Sequence, residues 1–379
     1  MLYYSGMQNQ ETRLLSLDVF RGMTIAAMLL VNNAGDWGHV CAPLQHSEWH
    51  GCTATDLIFP FFLFIMGVAM SFSIARKRDS GGDPRILLYS TVRRSAILCG
   101  LGLILSFLSY KGFGEPYHMF GVLQRIGLCY LFASIIMLWT GVRGQAISAA
   151  AILAGYYLIM KLVPFPGGFA GTLLPGSNLA EYIDKRCLGY FDPEGILTTL
   201  PAIGSVLTGI LAGHWLRDSR REGNEKAAGL CSAGTVLFIA AALWKYSFPF
   251  NKQLWTSSYV LHTTSLALFS LAACYWILDV KQIRRWAKPF SVFGTNPIAA
   301  YFGASAMAYS TIWIHWNTGP GQKMFLKTLV YNSLYRSWIP GLFGVYGDYI
   351  TSAAYGASYV ALWLGVSWVL YRRQIFLKI

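Results

Sequence analysis

The sequence predicts an all-α, polytopic membrane protein of about ten transmembrane helices, with both termini on the cytoplasmic side. Three observations predict it. Apolar residues fall in blocks of roughly 18 to 24, enough for a helix to cross a hydrocarbon core of about 30 Å. Of 379 residues, 55% are hydrophobic and only 12% charged; a soluble domain carries about twice that charged share. Lysine and arginine gather in alternate connections between the apolar blocks, the bias that orients membrane proteins.

The spans are read at 17–33, 56–74, 92–110, 121–139, 146–163, 197–216, 227–245, 257–278, 291–314 and 349–371. Residues 1–15 form a short cytoplasmic segment. They lack the basic stretch, short apolar run and small-residue cleavage site of a signal peptide, so the first helix serves as the insertion signal. Arg76, Lys77, Arg78, Arg85, Arg93 and Arg94 follow the second span, and Arg217, Arg220, Arg221 and Lys226 the sixth. Lys281, Arg284, Arg285 and Lys288 follow the eighth, and Arg372, Arg373 and Lys378 the tenth. Ten crossings put all four clusters on the side of the N-terminus. Residues 323–345 are partly apolar but broken by Lys327, Asn332, Arg336, Pro340 and Gly341. A span there would carry the last cluster across, so a re-entrant or interfacial segment is expected. No repeat, low-complexity tract or linker divides the chain, and 1–379 is read as a single transmembrane domain.

The net charge of +13 does not indicate nucleic-acid binding, because the basic residues sit in short loops where they set topology and meet anionic lipid. The 13 Trp and 22 Tyr suit residues parked at two membrane interfaces. Cys99, Cys129, Cys231 and Cys274 lie inside spans, while Cys41, Cys52 and Cys187 lie in outer loops; a Cys41–Cys52 bridge is one arrangement the spacing leaves open. His39, Cys41, His46, His50 and Cys52 fit no zinc-ligand spacing, so no metal is expected.

Polar groups at membrane depth are costly and are functional candidates by default. They concentrate in the first two spans and their connection: Asp18 and Arg21, Asn32 and Asn33, His46, Asp56. Asp18 and Arg21 share a helix face and can simply pair. Long ordered outer loops, 164–196 above all, are where function tends to reside.

The motifs SLDVFRG (Ser16–Gly22), Val31–Asn32, HSEWHG (His46–Gly51) and DLIFPFFLFIMG (Asp56–Gly67) resemble the catalytic region of the heparan-α-glucosaminide N-acetyltransferase family. GVLQRIGLCY (Gly121–Tyr130), FDPEGILTTLPAIGSVLTGILAG (Phe191–Gly213), NKQLWTSSYVL (Asn251–Leu261), GTNPI (Gly294–Ile298) and LYRRQIF near the end continue the likeness in order. The resemblance implies an acyltransferase that takes acetyl from cytosolic acetyl-CoA and delivers it to an amino sugar on the periplasmic or lumenal side. It implies that His46 is the active histidine and Asn32 its partner. The chain starts almost at the first catalytic-domain helix, which suggests a bacterial-type member in an inner membrane. A second copy of the chain is a further partner to consider.

The residues themselves point the same way. Acetyl transfer needs a base near neutral pH, which histidine supplies. The acetyl oxygen gathers negative charge, and Asn32 either donates to it or orients the imidazole. Direct transfer is favoured over an acetyl-histidine relay, which the sequence leaves open. Phosphates of coenzyme A want arginine: Arg21 first, then Arg94 and Arg284. Thr295 and Asn296 either line the cofactor channel or relieve a kink at Pro297. Asp56, Gln124, Arg125, Trp255 and His50 are candidates for the acceptor site. Arg125 alternatively snorkels or pairs with Asp56 or Glu115, and Trp255, like Trp49, alternatively belongs to the aromatic belt. Glycines near 67, 204 and 209 allow close helix packing beside the channel. Two other readings stand: acetylation of a sugar hydroxyl by the same base, and a sugar transporter, which would carry its ionisable pairs near the bilayer midplane.

Overall fold

A computed structural model describes residues 14–113, 117–319 and 322–377. Among these residues, nine helical stretches are long and apolar enough to cross a membrane. Helix α1 is Leu15–Asn32. Helix α2, Ile58–Met70, runs through one π turn into the short α3, Arg76–Asp79. Then come α4 (Pro84–Phe113), α5 (Val122–Trp139), α6 (Val142–Leu162) and the short α7 (Leu179–Leu188). Helices α8 (Thr199–Arg217), α9 (Gly223–Trp244) and α10 (Ser257–Tyr275) follow. After α11 (Lys288–Thr295) and α12 (Pro297–Trp313) come the short α13 (Leu326–Tyr331) and α14 (Ile339–Phe343), and then α15 (Gly347–Arg372).

The expected span 291–314 is broken. Pro297 has no N–H to donate and starts a new helix, leaving Asn296 as the joint between α11 and α12. Each piece alone is shorter than a full crossing. Residues 323–338 lie outside these nine stretches, and only the last of the segment, from Ile339, leads into the ninth. A hairpin pairs the strand His315–Gly319 with Gln322–Phe325, and α13 and α14 follow. Among the described residues a second hairpin, Leu173–Leu174 with Ser177–Asn178, precedes α7.

Helices α1, α2, α5 and α8 lie inside the bundle, while α4, α6, α9 and α15 turn most of their surface outward. That outward surface is apolar, as a lipid-facing surface must be. Glycine sets the tightest crossing. A Cβ on Gly67 of α2 would lie 2.1 Å from the Val206 carbonyl oxygen of α8, and one on Gly209 of α8 would lie 2.1 Å from the Phe64 carbonyl oxygen of α2. The two backbones therefore meet through reciprocal small residues. Gly204 instead admits Leu153 of α6. Gly22 and Gly294 play the same reciprocal part between α1 and α11.

The basic clusters share one end of the bundle. Arg217 pairs with Asp79 at 2.9 Å, and the Ser16 amide donates to Asp279 Oδ2 at 3.1 Å. Gly223 lies against Val280, and the Asn296 amide donates to the Ile375 carbonyl at 2.9 Å. The histidine-rich connection between α1 and α2 lies at the opposite end.

Candidate active site

At that opposite end the connection from Asn33 to Thr55 folds back on the start of α2. Asp56, in the turn that begins the second span, has a fully buried carboxylate. Its Oδ2 accepts the Ser47 and Thr53 amides, each at 3.0 Å, and the Thr53 hydroxyl at 3.1 Å. Its Oδ1 lies 2.6 Å from His46 Nδ1. A carboxylate at that distance accepts the Nδ1 proton, so Nε2 is left bare. The imidazole itself is half exposed, 52% against 1% for the carboxylate. An exposed imidazole whose tautomer is fixed by a buried carboxylate is able to accept a proton at Nε2.

A second loop, between α9 and α10, brings Lys252 over this pair. Its Nζ lies 3.1 Å from His46 Nδ1, 3.5 Å from Nε2 and 3.7 Å from Asp56 Oδ1. The Gly51 amide donates to the Phe250 carbonyl at 2.8 Å and knits the two loops together. Asn251 braces the second loop. Its Oδ1 accepts the Leu254 amide at 2.8 Å, and its Nδ2 donates to His50 Nδ1 at 3.4 Å. From α10, the Tyr259 hydroxyl donates to the Asp56 carbonyl at 2.5 Å. Desolvation lowers the Lys252 ammonium from the usual lysine range, against the opposing pull of Asp56 and Glu194. Desolvation also pushes the neighbouring Cys52 thiol up to about 12. Cys41 and Cys52 are both free thiols.

Beneath this cluster, Arg125 is fully buried in the first turn of α5. It donates to the Pro193 carbonyl at 2.7 Å and to the Thr198 hydroxyl, and its guanidinium lies 5.0 Å over the Trp255 ring. Trp255 is also buried, with φ +48, and its Nε1 donates to Ser205 Oγ at 3.2 Å. Glu194, next to Pro193, is raised by desolvation, while Arg125 and Lys252 pull it back. Thus the loop before α8 reaches the same region. His118 Nδ1 and Asp192 Oδ2, 3.1 Å apart, form a second histidine–carboxylate pair.

Other residues singled out in the sequence lie elsewhere. Gln124 faces α4, donating to Ser106 Oγ at 3.3 Å. Asn32 is exposed at the end of α1, whereas Asn33 donates back to the Leu29 carbonyl at 2.8 Å. At the basic end, Arg21 contacts Asp18 and the Gly294 carbonyl, both at 3.3 Å. Thr295 donates within its own helix at 2.7 Å. Asn296 is held by the C-terminal segment, accepting the Leu377 amide at 2.8 Å. Arg284 Nε donates to the Leu278 carbonyl at 3.1 Å. Arg94 sits on α4, 4.7 Å over the Tyr130 ring. So His46, Asp56, Lys252, His50 and Arg125 converge at one end and Arg21, Thr295 and Asn296 at the other, while Gln124 and Arg94 face the α4–α5 seam. A narrow apolar cavity lies between, lined by Met28, Phe59, Phe62, Leu123, Ile298 and Tyr301 among others.

The family described as "Heparan-alpha-glucosaminide N-acetyltransferase, catalytic" matches residues 13–249. The chain belongs to that family. Human heparan-alpha-glucosaminide N-acetyltransferase is 29% identical over 97% of this chain and 60% of its own length. The mouse protein of the same name is 26% identical over 98% of this chain and 61% of its own length. The chain thus spans about 60% of the length of these relatives. Sequence reasoning about this family member missed Lys252 and Asn251 as site residues. The signal was the NKQLWTSSYVL motif, whose polar start has no role in an apolar span.

Proposed function

We propose that this chain is a transmembrane acyltransferase that moves acetyl from acetyl-CoA to the amine of a glucosamine-type sugar. The observation that carries the reading is the His46–Asp56 pair: a half-exposed imidazole with its tautomer set by a buried carboxylate. The names of its relatives supply the reaction class and the amino-sugar acceptor.

In this reading the basic end faces the cytoplasm and the His46 end faces the periplasm or lumen. Arg21, with Arg284 from the same basic end in support, meets the phosphates of coenzyme A, since guanidinium suits bidentate contact with phosphate; Arg94 instead packs over Tyr130 at the α4–α5 seam. Thr295 and Asn296 flank the entry. The pantetheine arm follows the apolar cavity, whose lining begins at Ile298, two residues from Asn296, and reaches Phe59, three residues from Asp56. The cavity is narrow, so passage requires α1 and α12 to part. The sugar docks from the opposite end against His50, with Asp56, Arg125 and Trp255 shaping the floor, while Gln124, turned to α4, stays outside it. His46 Nε2 takes a proton as the amine attacks the thioester carbon. Asn32 is exposed at the end of α1, and the partner that orients His46 in this reading is Asp56. Transfer is direct, within a ternary complex.

The test is transfer of labelled acetyl from acetyl-CoA to a panel of amino sugars by the purified full chain. His46→Ala is expected to lower the rate by at least 10²-fold, the lower end for loss of a positioned base. Equal transfer by the variant removes His46 from the mechanism. Transfer to hydroxyl but not amine acceptors moves the reading to O-acetylation.

A further inference from the structure

We infer that Lys252 holds the acetyl oxygen of the thioester as it becomes an oxyanion, so that the site has a cationic donor beside its base. The inference rests on the acetyltransferase reading above and assigns a role to a residue outside it.

Placement carries the argument. Lys252 Nζ lies over the imidazole, nearest Nδ1 at 3.1 Å and within 3.5 Å of Nε2. Nδ1 holds its proton toward Asp56 and cannot accept another. The Asp56 oxygen at 3.7 Å is beyond a good hydrogen bond to the ammonium. The ammonium has three N–H groups, of which His46 Nε2 at 3.5 Å and Asp56 Oδ1 at 3.7 Å engage at most two, so one remains for an acceptor that arrives from outside, within one atom's reach of the base nitrogen. The loop that holds it is built rather than slack. Asn251 binds the Leu254 amide through its side chain, Thr256 Oγ1 accepts the Asn251 amide at 3.1 Å, and Trp255 adopts a left-handed φ of +48. A bulky residue held in that conformation is strained backbone kept in place by its surroundings. The same Trp255 packs edge-on against Phe59, ring centroids 5.2 Å apart, at the wall of the apolar cavity. A thioester at the end of that cavity thus arrives beside the Lys252 loop.

The step balances without another reactant. The amine nitrogen bonds to the thioester carbon, and the carbonyl π pair moves onto oxygen, where the Lys252 N–H groups receive it. His46 Nε2 takes the amine proton. The oxygen pair returns, the carbon–sulfur bond breaks, and the thiolate of coenzyme A leaves with the proton from His46. Lys252 keeps its own proton throughout. The charged or titratable groups that face Nζ are His46, Asp56 and Cys52 from one connection and Glu194 from the loop before α8.

The experiment compares wild type, Lys252→Met, Lys252→Arg and His46→Ala as full chains in detergent, with acetyl-CoA and glucosamine. Loss of one preorganised oxyanion donor costs on the order of 10²–10³ in kcat. Lys252→Met is expected to show that loss with KM for both substrates within about threefold of wild type, and Lys252→Arg to restore at least tenfold of it. Wild-type kcat/KM is expected to fall at alkaline pH, below the ordinary lysine range, as the ammonium deprotonates; Lys252→Arg removes that fall. Thermal unfolding of each variant reports on folding, and the pH profile of the arginine variant carries the test should the methionine variant unfold. A methionine variant with wild-type kcat, or an arginine variant that keeps the alkaline fall, overturns the inference. No amine acetylation by wild type overturns the reading beneath it, whereas activity in wild type, its loss in His46→Ala and its persistence in Lys252→Met overturn only the role of Lys252.

Discussion

At the scale of single residues, the organising group is Asp56 rather than the histidine it serves. It gathers two amides, one hydroxyl and one imidazole on a single buried carboxylate. Each of those bonds is charge-assisted, which makes the set about twice as strong as neutral bonds of the same geometry. The carboxylate therefore folds the loop and sets the tautomer at once. Asp56→Asn keeps the size but offers an N–H to some of these donors. The imidazole is then free to hold its proton on Nε2, which is no base. We expect kcat to fall on the order of 10³–10⁴, as when the orienting carboxylate of a triad is lost, with lowered thermal stability from the displaced amides. Steady-state rates and thermal unfolding of the purified variant check both. Retention of more than a tenth of wild-type kcat removes Asp56 from the orienting role.

At the scale of elements, the site depends on how close two helices come. The reciprocal glycines of α2 and α8 bring the start of α2, and with it Asp56, against the helix whose preceding loop carries Glu194. A Cβ on Gly67 would meet backbone, which has no rotamer to yield. We expect Gly67→Ala to destabilise by about 1–3 kcal/mol or more, the usual range for overpacking. Gly100 on α4 has open space around its Cβ position. Gly100→Ala is expected to be neutral or to stabilise by up to about 1 kcal/mol, because alanine is the better helix former. Thermal unfolding of the pair in one detergent separates a close helix contact from a general intolerance of alanine. Equal effects would remove the glycine seam from the account. The broken α11–α12 element has a related use. Asn296, freed from helical bonding at the break, fastens the C-terminal segment through Ile375 and Leu377.

At the scale of the whole molecule, charge divides the two ends. Contacts between Arg217 and Asp79, Ser16 and Asp279, and Asn296 and Ile375 collect the basic connections at one end. The His46 cluster and the exposed thiols of Cys41 and Cys187 belong to connections at the other. Positive connections stay cytoplasmic, so those two thiols are expected to face the far compartment. A membrane-impermeant maleimide applied to right-side-out vesicles is expected to label Cys41 and Cys187. Inverted vesicles are expected to protect both until they are opened. Labelling in the reverse order would place the histidine on the cytoplasmic side and leave no reason for the acetyl group to cross.

The sequence by itself determined the helical membrane class, most of the spans, the sorting of basic connections and the family. These are written in the length and composition of apolar blocks and in ordered motifs, which need no partner to be read. It also named His46, through the family resemblance, and Asp56, though as a candidate for the acceptor site rather than as the carboxylate that holds His46. Tertiary structure alone decided that Lys252, 206 positions from His46, lies on its imidazole, that Arg125 lies buried under Trp255, and that Asn296 fastens the C-terminal segment. It decided too that residues 323–345 hold part of a hairpin and short helices. The reason is the same in each case: a side chain's partner across the bundle is fixed by how helices pack, and packing depends on shapes that no local pattern records.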